Sequence, residues 1–292
     1  WYDTSKTGGE FVRKESQFRQ WVKSDGSTPF QPEKNRYHLY VSYACPWAHR
    51  VLIFRKLKGL ESIITVSEVA PLMLENGWEF GQSKSPFEDA LYHKNYLYQI
   101  YLIADAEYSG RVTVPILWDK KTKTIVNNES SEIIRMFNSE FDTVTEIRTD
   151  YYPRLLQSKI DTINSDIYNT INNGVYKCGF ATTQEAYEVA CHALFDGLDD
   201  IESILVTQPY LVGDTVTEAD WRLFPTLIRF DSVYVSHFKC SKRRIKDYPN
   251  ISRYMDQLIG IPGIKETINQ ETIKAHYFGS HKQLNPTGII PL

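Results

Sequence analysis

The 292-residue sequence has no run approaching the roughly 18 consecutive apolar residues that a membrane-spanning helix needs, which sets a membrane protein aside. It has no long basic run either. A net charge of -3 argues against nucleic acid as the main partner, because phosphate binding needs clustered lysine or arginine. The one basic cluster, Lys242-Arg243-Arg244, reads as a solvated surface turn. Cysteine is scarce: Cys45, Cys178, Cys191 and Cys240 stand far apart without a CxxC pair. Neither a disulfide framework nor a zinc ribbon is indicated, no metal is expected, and a reducing compartment fits best. No internal repeat or low-complexity tract occurs. A cytoplasmic location is the expectation; the chain opens on Trp1 rather than methionine, so organellar targeting stays open.

What is present is an ordinary globular composition, 42% hydrophobic and 24% charged, with enough length for two domains. Residues 1–36 are polar and punctuated by Gly8-Gly9, Gly26 and two prolines, and read as an extended arm, with order beginning near Tyr37. Tyr37 to Ser42 has strand composition. Pro46 follows where a helix can begin, since a first-turn residue needs no amide donor, and the helix runs to a Lys58-Gly59 stop. Ile63 to Val66 supplies a second strand, parallel to the first. After a long insert, Val112 to Trp118 and Thr124 to Val126 flank a hairpin turn, and a further helix opens at Glu129-Ser130-Ser131. This order is that of an α/β thioredoxin-like domain, provided the insert hides the second helix. Leu156, Ile160, Ile163, Ile167 and Ile171 then recur at helical spacing, and the remaining periodic segments are helical too. The expected organisation is an N-terminal extension over 1–36, a thioredoxin-like domain over 37–140 and an all-α C-terminal domain over 150–292. Within the last, Thr217-Glu218-Ala219-Asp220 reads as a capping box, a folding role.

Cys45 sits between a strand and a helix whose first amides point toward it, a placement that stabilises a thiolate and makes a nucleophile. The other cysteines lack this placement and default to structural roles. Ala48 occupies the position three after Cys45, so no resolving thiol is built in and a free thiol must finish the cycle; glutathione is the natural candidate. Val114-Pro115 stands where thioredoxin-like folds place a cis proline that exposes backbone to a bound peptide, although a Val-Pro pair is more often an ordinary edge proline. Glu129-Ser130 at a helix start offers amides and a hydroxyl to a carboxylate and an acid to an ammonium, or simply caps the helix. His49 and Arg50 are packing or surface residues, since His49 has no nearby companions for a metal.

The run Cys45-Pro46-Trp47-Ala48-His49-Arg50 resembles the glutathionyl-hydroquinone reductases, the Xi class of glutathione transferases, related to the omega-like transferases. The resemblance extends from Gly9-Glu10-Phe11-Val12-Arg13 through Gly110 to Pro115 and Asn128 to Ser131, and on to Asn285-Pro286-Thr287-Gly288. It implies that Trp78, Arg111 with Val112 and Val114, and Glu129 with Ser130 hold glutathione. It implies also that Tyr176, Tyr234 and Tyr277, three among 19 tyrosines, converge on a hydroquinone site. Homodimer formation comes with the same resemblance.

The activity so implied is reduction of glutathionyl-hydroquinones through a Cys45-glutathione mixed disulfide, with Tyr176 as proton donor and Tyr234 and Tyr277 orienting the ring. Two rivals stay open. One is a broader omega-like thiol transferase or dehydroascorbate reductase using the same Cys45. The other is a non-catalytic module binding glutathione or an iron-sulfur cluster, or serving only in assembly.

Overall fold

The computed structural model describes residues 3–81 and 85–292, so Trp1 and Tyr2 of the N-terminal extension lie outside the described residues. The chain forms two compact units. Among the described residues, one is an α/β thioredoxin-like unit made of 16–81, 85–150, Glu266–Lys282 and Thr287–Leu292; the other is helical and made of 3–15, Tyr151–Lys265 and Gln283–Pro286.

In the α/β unit, β1 (Tyr37–Val41) leads into α1 (Pro46–Leu57), and β2 (Thr65–Glu68) returns parallel to β1. The insert carries a two-stranded ribbon, β3 (Met73–Leu74) and β4 (Gly77–Trp78), and then α2 (Leu97–Ala104), which is the second helix that the thioredoxin-like order requires. β5 (Ile116–Asp119) and β6 (Thr124–Asn127) form the hairpin, and α3 (Ser130–Ser139) follows. The sheet order is β2-β1-β5-β6, with β5 antiparallel to β1. Every residue of β1 is buried, as a central strand covered on both faces requires. α1 and α3 pack on each other, burying Val51, Phe54, Ile133 and Phe137.

Three sequence expectations shift. Ile63 and Ile64 donate their amides to Leu60 in a turn, so β2 begins two residues later than their β-branched composition suggests. β5 begins at Ile116 rather than Val112: Pro115 has no amide hydrogen, and both backbone groups of Thr113 are taken by the Tyr101 hydroxyl instead of a neighbouring strand. Order begins well before Tyr37. Gln20 donates its amide to Val126, Asn128 donates to Phe18, and Arg19 bridges Asn127, so the arm covers the outer edge of β6. Val22 and Phe30 are buried there. The segment from Glu266 also joins this unit, through Lys56–Glu266 and His49–Thr267 contacts and through α10 (Gln270–Ser280), whose Ser280 hydroxyl accepts the Met73 amide.

The helical unit contains α4 (Gln157–Ile167), α5 (Gly174–Phe180), α6 (Gln184–Thr207), α7 (Glu218–Arg229), the short α8 (Val235–His237) and α9 (Pro249–Ile259). Two π-helical turns interrupt it, at Tyr168–Asn172 and Phe230–Tyr234. The capping box at α7 forms as the Thr217-x-x-Asp220 spacing predicts: the Asp220 carboxylate accepts the Thr217 amide at 2.7 Å. It also accepts the Leu211 amide and the Tyr254 hydroxyl, so one buried acid ties α7 to α9 and to the preceding loop. Residues 3–15 lie with these helices, where Phe11 is buried with its ring 5.4 Å from that of Phe180.

Two titratable groups in the sheet, one buried and one half-buried, act in opposite directions. His38 on β1 is fully buried, and desolvation holds its imidazole down at about 4 from 6.5. Glu68 at the end of β2 is pushed up from 4.5 to about 7, because burial outweighs the Tyr43 amide that donates to it. The unfolded chain protonates His38 first, so as pH falls from 6.5 to about 4 folding loses on the order of 3 kcal/mol at this site. Glu68 acts in reverse: the folded chain takes its proton first, so as pH falls from about 7 to 4.5 folding gains, by a smaller amount because solvent screens the half-exposed carboxylate. The two slopes oppose each other where the windows overlap. Replacing Glu68→Gln is therefore expected to leave a protein whose denaturant midpoint drops clearly more than that of the wild type across this range. Parallel pH profiles of the two proteins would contradict the assignment.

Candidate active site

Cys45 is the N-cap of α1, with extended backbone at φ -76° and ψ 122° and with Pro46 as the first helical residue. Its amide is spent on the Ser42 carbonyl at 3.1 Å, and its carbonyl accepts the His49 amide at 3.0 Å, which closes the first turn. The thiol is half-buried and faces the Val114 carbonyl at 3.5 Å. The Val114–Pro115 peptide is cis, as the position predicts. A free thiol at a helix N-terminus therefore lies beside an irregular stretch of backbone whose geometry other residues hold. Tyr108 donates to the Arg111 carbonyl at 2.6 Å, and Tyr101 donates to the Thr113 carbonyl at 2.9 Å. Asn128 in turn donates to the Tyr101 hydroxyl at 3.1 Å. Arg111 and Val112 are half-buried and Val114 is buried.

At the start of α3, Glu129 is the N-cap and accepts from the Ser131 amide at 3.0 Å and the Ser131 hydroxyl at 2.9 Å. Ser16 donates to its other carboxylate oxygen. Burial pushes the Glu129 carboxyl up, but the Ser131 donors and the charges of Arg50 and Arg19 together hold it below the usual carboxylate range. Glu129 thus remains an anion at neutral pH, with buried Ser130 next to it. The capping reading and the binding reading of Glu129-Ser130 are compatible: the side chain caps the helix and also presents a fixed negative charge.

Trp78 on β4 is buried and stacks on His276 of α10, with ring centroids 4.8 Å apart and planes 18° apart. His276 is held through Nδ1 by the Pro71 carbonyl at 2.8 Å. The adjacent Tyr277 is buried, edge-on to His276 and His281. Cys45, Trp78, Arg111, Val112, Val114, Glu129, Ser130 and Tyr277 therefore all belong to the α/β unit. Tyr176 on α5 and Tyr234 at the end of the second π-helical turn belong to the helical unit. There their rings lie 6.3 Å apart. Phe238 adjoins both, each at 5.4 Å between centroids, and the Arg13 guanidinium stands 4.9 Å over the Tyr176 ring while Arg13 Nε donates to Asn173.

His49 and Arg50 are both buried, not on the surface. His49 bonds the Thr267 hydroxyl at 2.8 Å, and Arg50 lies over the Trp47 ring at 4.6 Å and within electrostatic reach of Glu129. Arg50, Tyr101, Tyr108 and Asn128 are the contributors that the sequence reading missed. Spacing could have pointed to Arg50 alone, which lies one helical turn beyond Pro46 on α1.

Two family models match the chain: "Glutathione S-transferase, N-terminal domain" over residues 44–140 and "Glutathione S-transferase, C-terminal domain" over residues 184–257. The chain is 58% identical to the glutathionyl-hydroquinone reductase YqjG of Escherichia coli K12, over 100% of this chain and 91% of that protein. The glutathione-bound structure of YqjG superposes with a TM-score of 0.91 at 57% identity, covering 94% of this chain and 92% of that one. The glutathione-S-transferase Xi from Phanerochaete chrysosporium does so with a TM-score of 0.93 at 53% identity, covering 97% and 92%. With a thioredoxin-like unit, a helical unit and a Cys-Pro helix start in place, the chain belongs to the glutathione transferase family, in the Xi class of glutathionyl-hydroquinone reductases.

Proposed function

We propose that the chain is an enzyme that reduces glutathionyl-hydroquinones to hydroquinones with glutathione. The observation that carries this reading is Cys45: a half-exposed thiol at a helix N-terminus, beside the backbone of a cis proline, with Ala48 where a second thiol would stand. That arrangement suits one-thiol disulfide chemistry. In the reaction, the Cys45 thiolate attacks the glutathione sulfur of the substrate. The carbon–sulfur bond breaks, its electron pair stays with the ring carbon, and that carbon takes a proton. Hydroquinone leaves, and a Cys45-glutathione disulfide remains. A second glutathione attacks its glutathione sulfur, releasing glutathione disulfide and restoring Cys45. The thioether sulfur of the substrate and the thiol of one free glutathione end as the disulfide, and the ring carbon is reduced by two electrons and gains a proton.

In this reading Trp78, Arg111, Val112, Val114, Glu129 and Ser130 hold glutathione. The Val114 backbone pairs with the peptide, the α3 N-terminus takes the γ-glutamyl carboxylate, and the ionised Glu129 takes its ammonium. Tyr176, Tyr234 and Tyr277 serve the ring, Tyr176 as proton donor. The guanidinium of Arg13 lies over the Tyr176 ring and helps to hold it in place. The family resemblance adds the expectation of a homodimer, which sedimentation equilibrium tests.

The test is steady-state turnover of glutathionyl-menadiol with free glutathione, which should release menadiol and glutathione disulfide in equal amounts. Conjugation of free quinones without such release would speak against the reading. Tyr176→Phe is expected to lower kcat by about 10²–10⁴-fold, the usual worth of a general acid, with a smaller effect on KM. A Tyr176→Phe enzyme with full kcat would remove Tyr176 from the proton-transfer role.

A further inference from the structure

One buried side chain in the α/β unit is tied to both halves of the proposed glutathione site. Asn128 stands immediately before Glu129, and each of its polar atoms, backbone and side chain, has a partner. Its amide donates to the Phe18 carbonyl at 3.1 Å, and its side-chain Oδ1 accepts the Phe18 amide at 3.2 Å. Its carbonyl accepts the Ser16 hydroxyl, which also reaches the Glu129 carboxylate. Its Nδ2 donates to the Tyr101 hydroxyl at 3.1 Å. That hydroxyl accepts a second donor, the Thr113 amide at 3.1 Å, and gives its own proton to the Thr113 carbonyl at 2.9 Å. Thr113 adjoins Val114 of the cis peptide, whose carbonyl faces the Cys45 thiol. A relay thus runs from the arm through Asn128 and Tyr101 to the backbone beside Cys45. The Tyr101 ring is packed as well, 5.8 Å from that of Phe18 and 4.8 Å from that of Tyr108.

We propose, on the reading that glutathione is held at Val114 and Glu129, that Asn128 and Tyr101 are positioning residues that fix the separation of these two anchors. The β5–β6 pairing ends at Leu117 and Asn127, and beyond it the segments Thr113 to Pro115 and Asn128 to Ser130 are joined through side chains instead. In a γ-glutamyl peptide two methylene groups separate the ammonium-bearing carbon from the amide carbonyl. The Val114 backbone and the Glu129 carboxylate therefore engage the same molecule only at a matching distance. The residue types suit the task. An asparagine amide donates to Tyr101 and accepts from Phe18 at once, and a phenol accepts two donors while donating one proton. Removing either group leaves buried donors without partners, and the backbone on one side of the relay must shift to satisfy them.

The experiment is calorimetric titration of the full chain with S-methylglutathione, a thioether without a free thiol, beside thermal melting of the same samples. Tyr101→Phe, which deletes one oxygen, and Asn128→Ala should each raise Kd by about tenfold, the scale of one buried hydrogen bond. Because both break the same relay, the double variant should bind within about twofold of the weaker single variant, not about a hundredfold worse than the wild type. A single variant that melts lower yet keeps the wild-type Kd would make its residue purely structural and overturn the proposal. Losses that multiply in the double variant would overturn it too, by separating the two residues into independent effects. If Asn128→Ala does not fold, the Kd of Tyr101→Phe decides alone. A wild-type chain that takes up no S-methylglutathione would refute the glutathione reading itself, whereas wild-type binding with unchanged variants refutes only the positioning.

Discussion

Replacing Cys45→Ala is expected to abolish glutathionyl-hydroquinone reduction, lowering kcat/KM by at least about 10⁴-fold, and to leave the fold as stable as before. The second half of that expectation makes the first informative. Cys45 occupies the N-cap of α1 but makes no side-chain cap hydrogen bond, so alanine removes no capping partner. Pro46 at the first helical position and the bond from the His49 amide to the residue 45 carbonyl start the helix whichever side chain stands there. The stability change should therefore stay within about 0.5 kcal/mol in urea unfolding. A variant that keeps a substantial rate at unchanged stability would place the chemistry on another group. One that loses activity together with its fold would show Cys45 to be structural.

The largest effect on stability is expected at Asp119, the last residue of β5. Arg36, which enters β1, donates to Asp119 through Nε at 2.8 Å and through Nη2 at 2.7 Å. Asp119 is fully buried and also accepts the Thr122 hydroxyl and the Lys121 amide. Burial works against its charge, yet these donors hold its carboxyl below the usual range. Asp119→Ala would leave a buried guanidinium facing an apolar methyl, and one-sided removal of a buried pair costs about 3–5 kcal/mol. The consequence reaches the site, because Arg36 and Asp119 clamp together the strand that leads to Cys45 and the strand that follows Val114–Pro115. Replacing both partners, Arg36→Met with Asp119→Leu, should cost much less than Asp119→Ala alone. Equal losses in the two variants would show that the cost lies in the hairpin turn that Asp119 also caps, not in the buried guanidinium left with only Glu33 and the Pro29 carbonyl.

The parts of the fold legible in the sequence are those fixed by local chemistry. Pro46 after a strand announces a helix start, and Thr217-x-x-Asp220 announces another; each works through atoms a few residues apart. What escaped depends on partners distant in the chain. Residues 16–35 look like a polar arm because their pairing edge is β6, about a hundred residues downstream. Val112 to Trp118 looks like one strand because nothing local shows that a tyrosine on α2 takes both backbone groups of Thr113. The same holds at the site. Cys45 and the cis Val114–Pro115 bond follow from position in the fold pattern, whereas Tyr101 and Tyr108 are indistinguishable from other tyrosines until the loop that they hold is seen. Arg50 reads equally as a packing or a surface residue, and its burial over Trp47 near the Glu129 carboxylate emerges only once distant elements come together.

The most direct measurement is a single turnover without free glutathione. The protein is mixed with one equivalent of a glutathionyl-chlorohydroquinone, quenched in acid and weighed intact. The mechanism predicts one glutathionyl group added per chain, mapped to the peptide bearing Cys45, together with one equivalent of released chlorohydroquinone. Release of the hydroquinone with no adduct, or an adduct on any other cysteine, would contradict it.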